Sequence, residues 1–321
     1  MAFDSEGGLF RFIDVAISML YTSLQYDEYL IDKYQLCRRI LDGTITPIYI
    51  ENFANKTSRQ VVAEMKAISN KMTFMKPNYN PAGIRRATKF EDQYLILNTD
   101  FSAKFETDVL ATSFFRNDAE FKTNLAMIDG FNDFDTARLN EVLGKAYVAF
   151  TEDELSQLAN VLGTIISNQW FMDYYYSLDN ATDPSVYGTR KTEFFNPVTL
   201  MNNHFLHAWK IFSTSPFENA CVFTSVIPSV TSVTLTPEES SVSAGLTVQL
   251  SADVVTTGFA NKAVTYAVTK GADKGVTVSD TGLVTIPNDF DTSVEQTAQV
   301  EITATSVYDK TLNGKATITV L

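Results

Sequence analysis

The chain has 321 residues, of which 45% are hydrophobic and 20% charged, which is the composition of a globular protein large enough for two domains. Its formal net charge of −13 excludes an overall coat of Lys and Arg of the kind that binds nucleic acid. No apolar run approaches the length of a membrane span, and "MAFDSEGGLFRFID" is not a secretory signal. The only two cysteines, Cys37 and Cys221, exclude a disulfide framework and are predicted to be buried thiols.

A long amphipathic helix is predicted over residues 9–42, and it ends at Gly43. Its apolar stripe recurs at steps of three and four residues and includes Ile13, Ile17, Leu20, Leu24 and Ile31. A strand follows at Thr46–Ile50, and Thr57 with Gln60 forms a capping box that opens a second helix. Further strands are predicted at residues 71–76 and 93–98.

The middle of the chain is predicted to mix helices and strands without a regular strand–helix alternation, which excludes a Rossmann fold or a barrel. Helices are predicted at 106–115, 117–125, 151–162 and 199–212, with a strand at 145–150 and extended chain at 164–178. The capping box of the third of these helices is formed by Thr151 and Glu154. The last helix would place Leu200, His204, His207 and Ile211 on one face.

The composition changes abruptly near residue 229, which predicts a domain boundary between residues 1–228 and 229–321. The C-terminal part is dominated by Val, Thr, Ser and Ala in short alternating runs that are typical of half-buried strands. Seven runs, separated by turns at residues 244–245, 257–258, 280–282, 287–289 and 313–314, predict an antiparallel β-sandwich. The short linker before it contains Pro228, so we expect restricted movement between the two parts.

The candidate metal site consists of His204 and His207, the only histidines of the chain. On a helix this spacing puts both imidazoles on one face, but no third ligand accompanies them in a known motif. We therefore favour a structural pair. "DNATDPS" at residues 179–185 offers oxygen ligands without the spacing of a calcium loop, and we interpret it as a polar turn.

Candidate catalytic groups also have simpler explanations. Cys37 is predicted in the middle of a helix, where nothing like a helix N-terminus lowers its pKa. Glu152, Asp153 and Glu154 fill the first turn of a helix, where the helix dipole favours acids. The basic stretch at residues 82–89 is interpreted as a solvated loop, and the aromatic clusters around residues 169–176 and 194–212 as core or subunit interface. No catalytic, cofactor-binding or metal-binding residue is predicted.

The C-terminal part resembles bacterial immunoglobulin-like domains of group 2. The resemblance covers about residues 229–321, and its most specific elements are the turn at Gly245 before "LTVQL" and the hairpin "SDTGLVT". The family usually has Trp where this chain has Tyr266. Such modules occur in adhesins, in surface-anchored enzymes and in phage virions, so the resemblance implies an exposed appendage without fixing its function.

The N-terminal part resembles the major capsid proteins of phi29-type tailed phages, in order, over about residues 75–224. "YNPAGI" is followed by "YLILNTDF" and "VLATSFF", and later by "FFNPVTLMNNHFLHAW" and "SPFENA". The matching positions are Leu97, Asn98, Asp100, Phe101, Val109, Leu110, Ala111, Phe114, Asn196, Pro197, Asn203, Leu206, His207, Trp209, Ser215, Pro216, Phe217, Asn219 and Ala220.

This resemblance implies an α+β fold: an HK97-type capsid domain at residues 1–228, with residues 9–42 as its spine helix and with peripheral and axial subdomains, followed by the all-β sandwich. It also implies a major capsid protein that forms pentamers and hexamers around double-stranded DNA, with the sandwich projecting outward. Expected partners are further copies of the chain, scaffolding protein and portal, with non-specific DNA contact and a host-surface glycan for the sandwich. The expected location is the virion, and the host cytoplasm during assembly.

One departure concerns the N-terminus. HK97-type proteins carry an N-terminal arm and a long hairpin, the E-loop, before the spine helix, whereas this chain opens almost directly into the helix. Either the chain is shortened or the E-loop is truly reduced; we favour a shortened chain, and we expect it to form monomers or small oligomers in mild buffer.

Two other classes of protein stay open as alternatives. A bacterial cell-surface adhesin or carbohydrate-binding protein would carry a secretion signal or an anchor. An enzyme with an appended module would need a convergent cluster of acid, base or nucleophile side chains.

Overall fold

A long helix, α1 (Glu6–Leu41), forms the first element of the protein. The computed structural model describes residues 6–99, 101, 124–175, 189–198, 201–208, 210–290 and 298–321. The fold is mixed α and β. Within these described residues, three shorter helices follow: α2 (Ser58–Met72), α3 (Thr136–Leu143) and α4 (Glu152–Leu158). The predictions of the long helix, of its end before Gly43 and of both capping boxes are confirmed.

A mixed sheet of five strands forms the centre of the N-terminal region (residues 6–224). Its strands are β1 (Thr46–Tyr49), β2 (Gln93–Asn98), β3 (Leu125–Ile128), β4 (Val161–Ser167) and β9 (Ala220–Thr224), in the order β1-β9-β4-β2-β3. The outer pairs β1–β9 and β2–β3 are parallel, and the inner pairs are antiparallel. The strands predicted at residues 46–50 and 93–98 are therefore confirmed.

Both faces of this sheet are apolar, and each is covered by a different helix. Since side chains alternate along a strand, Leu95 and Leu97 point to the side of α2, where Met65 belongs to the same buried cluster. Ile96 and Val222 point to the other side, which is covered by α1 and α4. Every residue of β4 and β9 is buried, as expected for central strands packed on both faces.

Two long ribbons of paired strands extend the N-terminal region. The strand β5 (Phe171–Tyr175) pairs with β8 (Lys210–Thr214), and β6 (Thr189–Asn196) pairs with β7 (Met201–Ala208), both antiparallel. The prediction of a helix at residues 199–212 is therefore wrong. Pairing with partner strands earlier in the chain decides the structure here, against the local helical periodicity.

Two further strand predictions are wrong. Helix α2 continues to Met72, because Met72 adds one more buried position to the stripe formed by Val61 and Met65. Residues 145–150 contain a short 3-10 turn and unpaired extended chain instead of a strand. The helix predicted at residues 106–115 lies outside the described residues, as does most of the one predicted at 117–125, whose last residue, Leu125, begins β3.

The C-terminal region (residues 229–321) consists of β strands around one apolar cluster. Its strands are β10 (Ser229–Thr236), β11 (Glu239–Val242), β12 (Thr247–Gln249), β13 (Ser251–Thr257), β14 (Val264–Lys270), β15 (Thr277–Val278), β16 (Leu283–Thr285), β17 (Gln299–Ser306) and β18 (Asn313–Val320). They pair as β10-β13, β11-β18-β17-β14 and β12-β16-β15. Buried residues alternate with exposed ones along β13, as its sequence pattern predicts.

Four details differ from the predicted sandwich. The short strand β11 was not predicted, and the run at residues 246–254 is divided into β12 and β13. The pair β11–β18 is parallel, so the strands are not all antiparallel. The turn predicted at residues 313–314 is wrong, since both residues belong to β18, where a Cβ on Gly314 would lie 2.6 Å from the carbonyl oxygen of Val233.

Phe259 joins the two regions. It follows Gly258 after β13, adopts the left-handed conformation (φ 66°), and is only 1% exposed. Its side chain belongs to the apolar cluster beneath α1 rather than to the C-terminal cluster. Next to it the backbones nearly touch: a Cβ on Gly43 would lie 2.4 Å from the carbonyl oxygen of Ala260. Through the side chain of Phe259, the C-terminal region therefore contributes to the core of the N-terminal region.

We predict that Phe259→Ala lowers the free energy of unfolding by about 3 to 5 kcal/mol, because it leaves a cavity in a packed core. Chemical denaturation followed by tryptophan fluorescence measures this value. The control is Val255→Ala on the exposed side of β13, which should change stability by no more than about 0.5 kcal/mol. Equal effects of the two substitutions would show that Phe259 does not anchor the regions.

Candidate functional site

A buried carboxamide fixes the loop that precedes β2. Asn219, directly before β9, is fully buried, and its Nδ2 donates to the carbonyl oxygen of Arg86 (3.1 Å) and to Oγ1 of Thr88 (3.0 Å). Its Oδ1 accepts from Nδ2 of Asn80 at 3.1 Å. Asn80 in turn binds both backbone groups of Ile84, at 2.8 and 2.9 Å. One asparagine pair thus holds both ends of residues 80–88 against the central sheet.

An ion pair between Glu218 and Arg86 also holds the loop at residues 80–88. Glu218 is buried, accepts a hydrogen bond from Ser167 Oγ at 2.9 Å and forms an ion pair with Arg86. Arg85, the neighbouring residue, remains exposed. The stretch at residues 82–89 is a surface loop, as predicted, but Arg86 within it is engaged by the sheet.

The two cysteines are packing residues in the structure. Both thiols are fully buried, Cys37 in α1 and Cys221 in β9. Burial raises the pKa of each thiol to about 12, and for Cys37 the nearby Lys33 and Arg38 only partly oppose this. A thiol with so high a pKa is protonated at neutral pH and is a poor nucleophile. The prediction of buried cysteines is confirmed.

The three consecutive acids cap a helix. Thr151 donates its backbone N–H to Glu154 Oε2 at 2.8 Å and accepts from the backbone N–H of Glu154 at 3.2 Å. Glu154 also pairs with Arg38 of α1 at 2.8 Å, while Glu152 and Asp153 are exposed. Capping therefore accounts for this cluster, and the two surface acids do not converge on a cleft.

The predicted shared face of the two histidines, on which the candidate metal site depended, is not present in the structure. His204 and His207 lie on β7, and an odd separation along a strand places two positions on opposite faces. The argument from a shared helical face is therefore wrong. Residues 179–185 lie outside the described residues. Within the described part of the chain, no group of three or more His, Cys, Asp or Glu side chains is arranged to hold a metal ion.

A carboxylate cluster beneath α1 was missed by sequence reasoning. Glu28 and Asp32 lie one turn apart on α1, and Lys210 of β8 forms an ion pair with Glu28. Asp173, on the paired strand β5, faces the same group. Burial, followed by the charges of Asp173 and Glu28, raises the pKa of Asp32 to about 7. No sequence motif marks this cluster, since the paired strands bring its members together.

The residues that carry the family resemblance fall into two groups. Leu97, Ser215, Asn219 and Ala220 are buried in or beside the central sheet and have structural roles. Asn196 and Pro197 end β6, and Phe217 is an exposed loop residue. Positions 100, 109–111, 114 and 209 lie outside the described residues.

Exposed aromatic side chains are concentrated on the β6–β7 ribbon. Phe194, Phe195 and Phe205 are about half exposed, and Val198 at the end of the ribbon is almost fully exposed. Trp170, by contrast, is buried in the core. The aromatic clusters thus divide into one part that is core and one part that is open surface. Among the described helices, none is both long and apolar enough to cross a membrane.

Comparison with known proteins gives a consistent result. The family model of the Phi29-like phage major capsid proteins matches residues 1–224. The major capsid protein of Bacillus phage PZA is 26% identical over 94% of this chain and 60% of its own length. That of Bacillus phage B103 is 25% identical over 99% of this chain and 64% of its own length. This chain thus spans less than two thirds of these relatives.

Among solved structures, the capsid of Staphylococcus phage Andhra is similar with a TM-score of 0.48 and 11% identity over 69% of this chain and 65% of the other. The family model covers the whole buried central sheet and the helices that pack on it. The chain belongs to the Phi29-like phage major capsid protein family.

We predict that Asp32→Asn stabilises the protein by about 1 to 2 kcal/mol near pH 8, less than the full pKa shift implies because the site is partly hydrated. A carboxyl group with a raised folded pKa binds more protons folded than unfolded. The free-energy cost of ionising Asp32 in the folded protein is absent below the ordinary pKa of 3.8. This cost grows as the pH rises towards about 7 and is complete above that pH.

Thermal unfolding of parent and variant across this pH range measures the effect. The control, Asp14→Asn on the exposed part of α1, removes the same charge and should give no comparable stabilisation near pH 8. A benefit of Asp32→Asn that stays constant from about pH 4 to about pH 8 would contradict the assignment.

We also predict that Asn219→Ala costs about 3 kcal/mol of stability, because the loop loses three hydrogen bonds and the buried amide of Asn80 loses a partner. Faster proteolysis within residues 80–88 should accompany it. Asn132→Ala, at an exposed position, is the control. Wild-type protease resistance in Asn219→Ala would refute the role of this side chain.

Proposed function

We propose that this chain is the subunit of a tailed-phage head shell and assembles into pentamers and hexamers that enclose double-stranded DNA. The observation that carries the proposal is the match of residues 1–224 to the capsid family, which covers the whole central sheet and its helices. A shell subunit works through contacts with its neighbours and not through a catalytic cleft. Among the candidate groups that the structure describes, the two cysteines are accounted for by packing and the acids at residues 152–154 by helix capping.

We assign the N-terminal region to the HK97-type shell fold, with α1 as the spine helix. Support comes from the length of α1, which is 36 residues, and from its position across one face of the central sheet. The ribbons β5–β8 and β6–β7 would form the peripheral part beside the spine. The sheet with α2, α3 and α4 would form the axial part.

We assign residues 229–321 to an immunoglobulin-like domain of group 2, with the domain boundary at residues 228–229. Support comes from its strands around a single apolar cluster and from the two turns that carry the resemblance. Gly245 and Gly282 both have positive φ, and a Cβ on Gly282 would lie 3.0 Å from the ring of Tyr266, where the family usually has Trp. In the shell this domain would project outward.

Lateral contacts would use the exposed aromatic surface of the β6–β7 ribbon. An isolated two-stranded ribbon is only marginally stable in water, and one with exposed phenylalanines gains by being covered. A neighbouring subunit is the natural cover in a shell. Contacts with scaffolding protein, portal, packaged DNA and a host glycan stay predictions, as does a location in the virion with assembly in the host cytoplasm.

The test is the oligomeric state of the concentrated protein by native mass spectrometry and negative-stain electron microscopy. We expect closed rings with the copy numbers of pentamers and hexamers. The variant Phe194→Ser with Phe205→Ser, at two positions on the same face of the ribbon, should weaken ring formation by a factor of about 10 or more, because it removes apolar contact area.

The matched control is Leu246→Ser with Val255→Ser, two exposed apolar residues of the C-terminal region. It should assemble like the parent. A parent protein that stays monomeric at every concentration and ionic strength tested would refute the proposed function. Specific glycan binding by the monomer would instead favour a surface adhesin.

A further inference from the structure

One segment of this acidic chain carries cations and no acids. Residues 65–90 contain six Lys and Arg residues and no Asp or Glu, although the chain as a whole has a net charge of −13. The segment comprises the second half of α2 and the loop that leads to β2. Charge of a single sign over such a stretch creates a local positive potential that the overall composition conceals.

We call the exposed part of this segment the basic surface. Lys71, Lys76 and Arg85 are exposed, and the loop is tied to the end of α2 by the backbone N–H of Thr88, which donates to the carbonyl oxygen of Met72 at 2.8 Å. An isolated bridge pairs Lys76 with Arg86. Within the described residues, no carboxylate pairs with Lys71, Lys76 or Arg85.

Large apolar side chains lie among these cations. Phe74 is 65% exposed and Met75 is 73% exposed, and both lie between Lys71 and Lys76 directly after α2. Exposed aromatic and methionine side chains next to basic residues are typical of protein–protein interfaces. A phosphate backbone would use the cations but would leave these apolar side chains in water.

A second surface has the opposite charge, and we call it the acidic surface. Residues 129–154 contain seven carboxylates and two cations and include α3 and the first three residues of α4. Asp133, Glu152 and Asp153 are exposed there, and Val148 provides an exposed apolar residue. The buried residues of α4 pack on the α1 side of the central sheet, whereas those of α2 pack on the other side. The two charged surfaces therefore lie on opposite sides of one sheet.

Two complementary surfaces on opposite sides of one subunit favour a head-to-tail contact between identical copies. Such a contact uses a different patch on each partner and generates a closed ring where the rotation per subunit allows it. We propose that the basic surface of one copy docks on the acidic surface of the next copy within a capsomer. The inference rests on the proposed shell function and identifies the surfaces that this function would use.

The test exploits charge exchange in the full chain. One variant carries Lys71→Glu, Lys76→Glu and Arg85→Glu, which makes both surfaces acidic. The second carries Asp133→Lys, Glu152→Lys and Asp153→Lys, which makes both surfaces basic. A control with Lys270→Glu, Lys310→Glu and Lys315→Glu gives the same change in net charge as the first variant but at exposed positions of the C-terminal region.

Sedimentation velocity measures association of each variant alone and of an equal mixture. Like charges across the contact should weaken self-association of each single variant about 100-fold or more, while the control associates like the parent. The mixture should regain association, because each variant then meets its complement. Raising the ionic strength from about 0.01 M to about 1 M should weaken the parent and the mixture alike. Misfolding cannot explain recovery on mixing.

The outcomes separate this inference from the proposed function. Single variants that assemble like the parent, or a mixture that does not recover, would overturn the docking contact while leaving the shell function intact. Variants that assemble normally but lose salt-dependent binding to duplex DNA would assign the basic surface to DNA instead. A parent protein that never associates would refute both the docking contact and the proposed shell function.

Discussion

The structure depends on a central sheet that is apolar on both faces. Every residue of β4 and β9 is buried, so neither strand has a side that water could solvate. Each face must therefore be covered, and the chain covers them with different elements: α2 on one side, and α1 with α4 and Phe259 on the other. The burial of apolar area on both faces is the dominant stabilising contribution of the N-terminal region.

Covering one face with a residue from the C-terminal region links the two halves of the molecule. Phe259 is held in a left-handed conformation that a phenylalanine rarely adopts, which indicates that packing determines its backbone. Two hydrogen bonds join the regions as well. Thr257 Oγ1 donates to the carbonyl oxygen of Ile227 at 3.2 Å, and the hydroxyl group of Tyr308 donates to the carbonyl oxygen of Pro228 at 3.2 Å. An appended module that shares a core with its neighbour is oriented by that core. For a shell subunit, this would present the appendage at a fixed angle on every copy.

The sequence predicted those parts of the fold that local chemistry determines. The capping boxes at Thr57 and Thr151, the end of α1 and the alternating strands of the C-terminal region each depend on interactions within a few residues. Strand β7 could not be predicted this way, because its helical spacing is accidental and its structure follows from pairing with β6. The carboxylate cluster around Asp32 and the anchor Phe259 were missed for a related reason. Their members are distant in sequence and meet only in the folded chain.

Composition likewise conceals the arrangement of charge. A net charge of −13 describes an acidic protein, yet the charged residues of segment 65–90 are all cations, and this segment packs on the other side of the sheet from the acidic helix α4. The average charge governs long-range repulsion between copies, whereas contact depends on the charges that meet within about a Debye length, roughly 10 Å at 0.1 M salt. A subunit with opposite charges on two sides can therefore be repelled at a distance and attracted at contact. That balance favours association only in the correct orientation, which a ring of identical subunits requires.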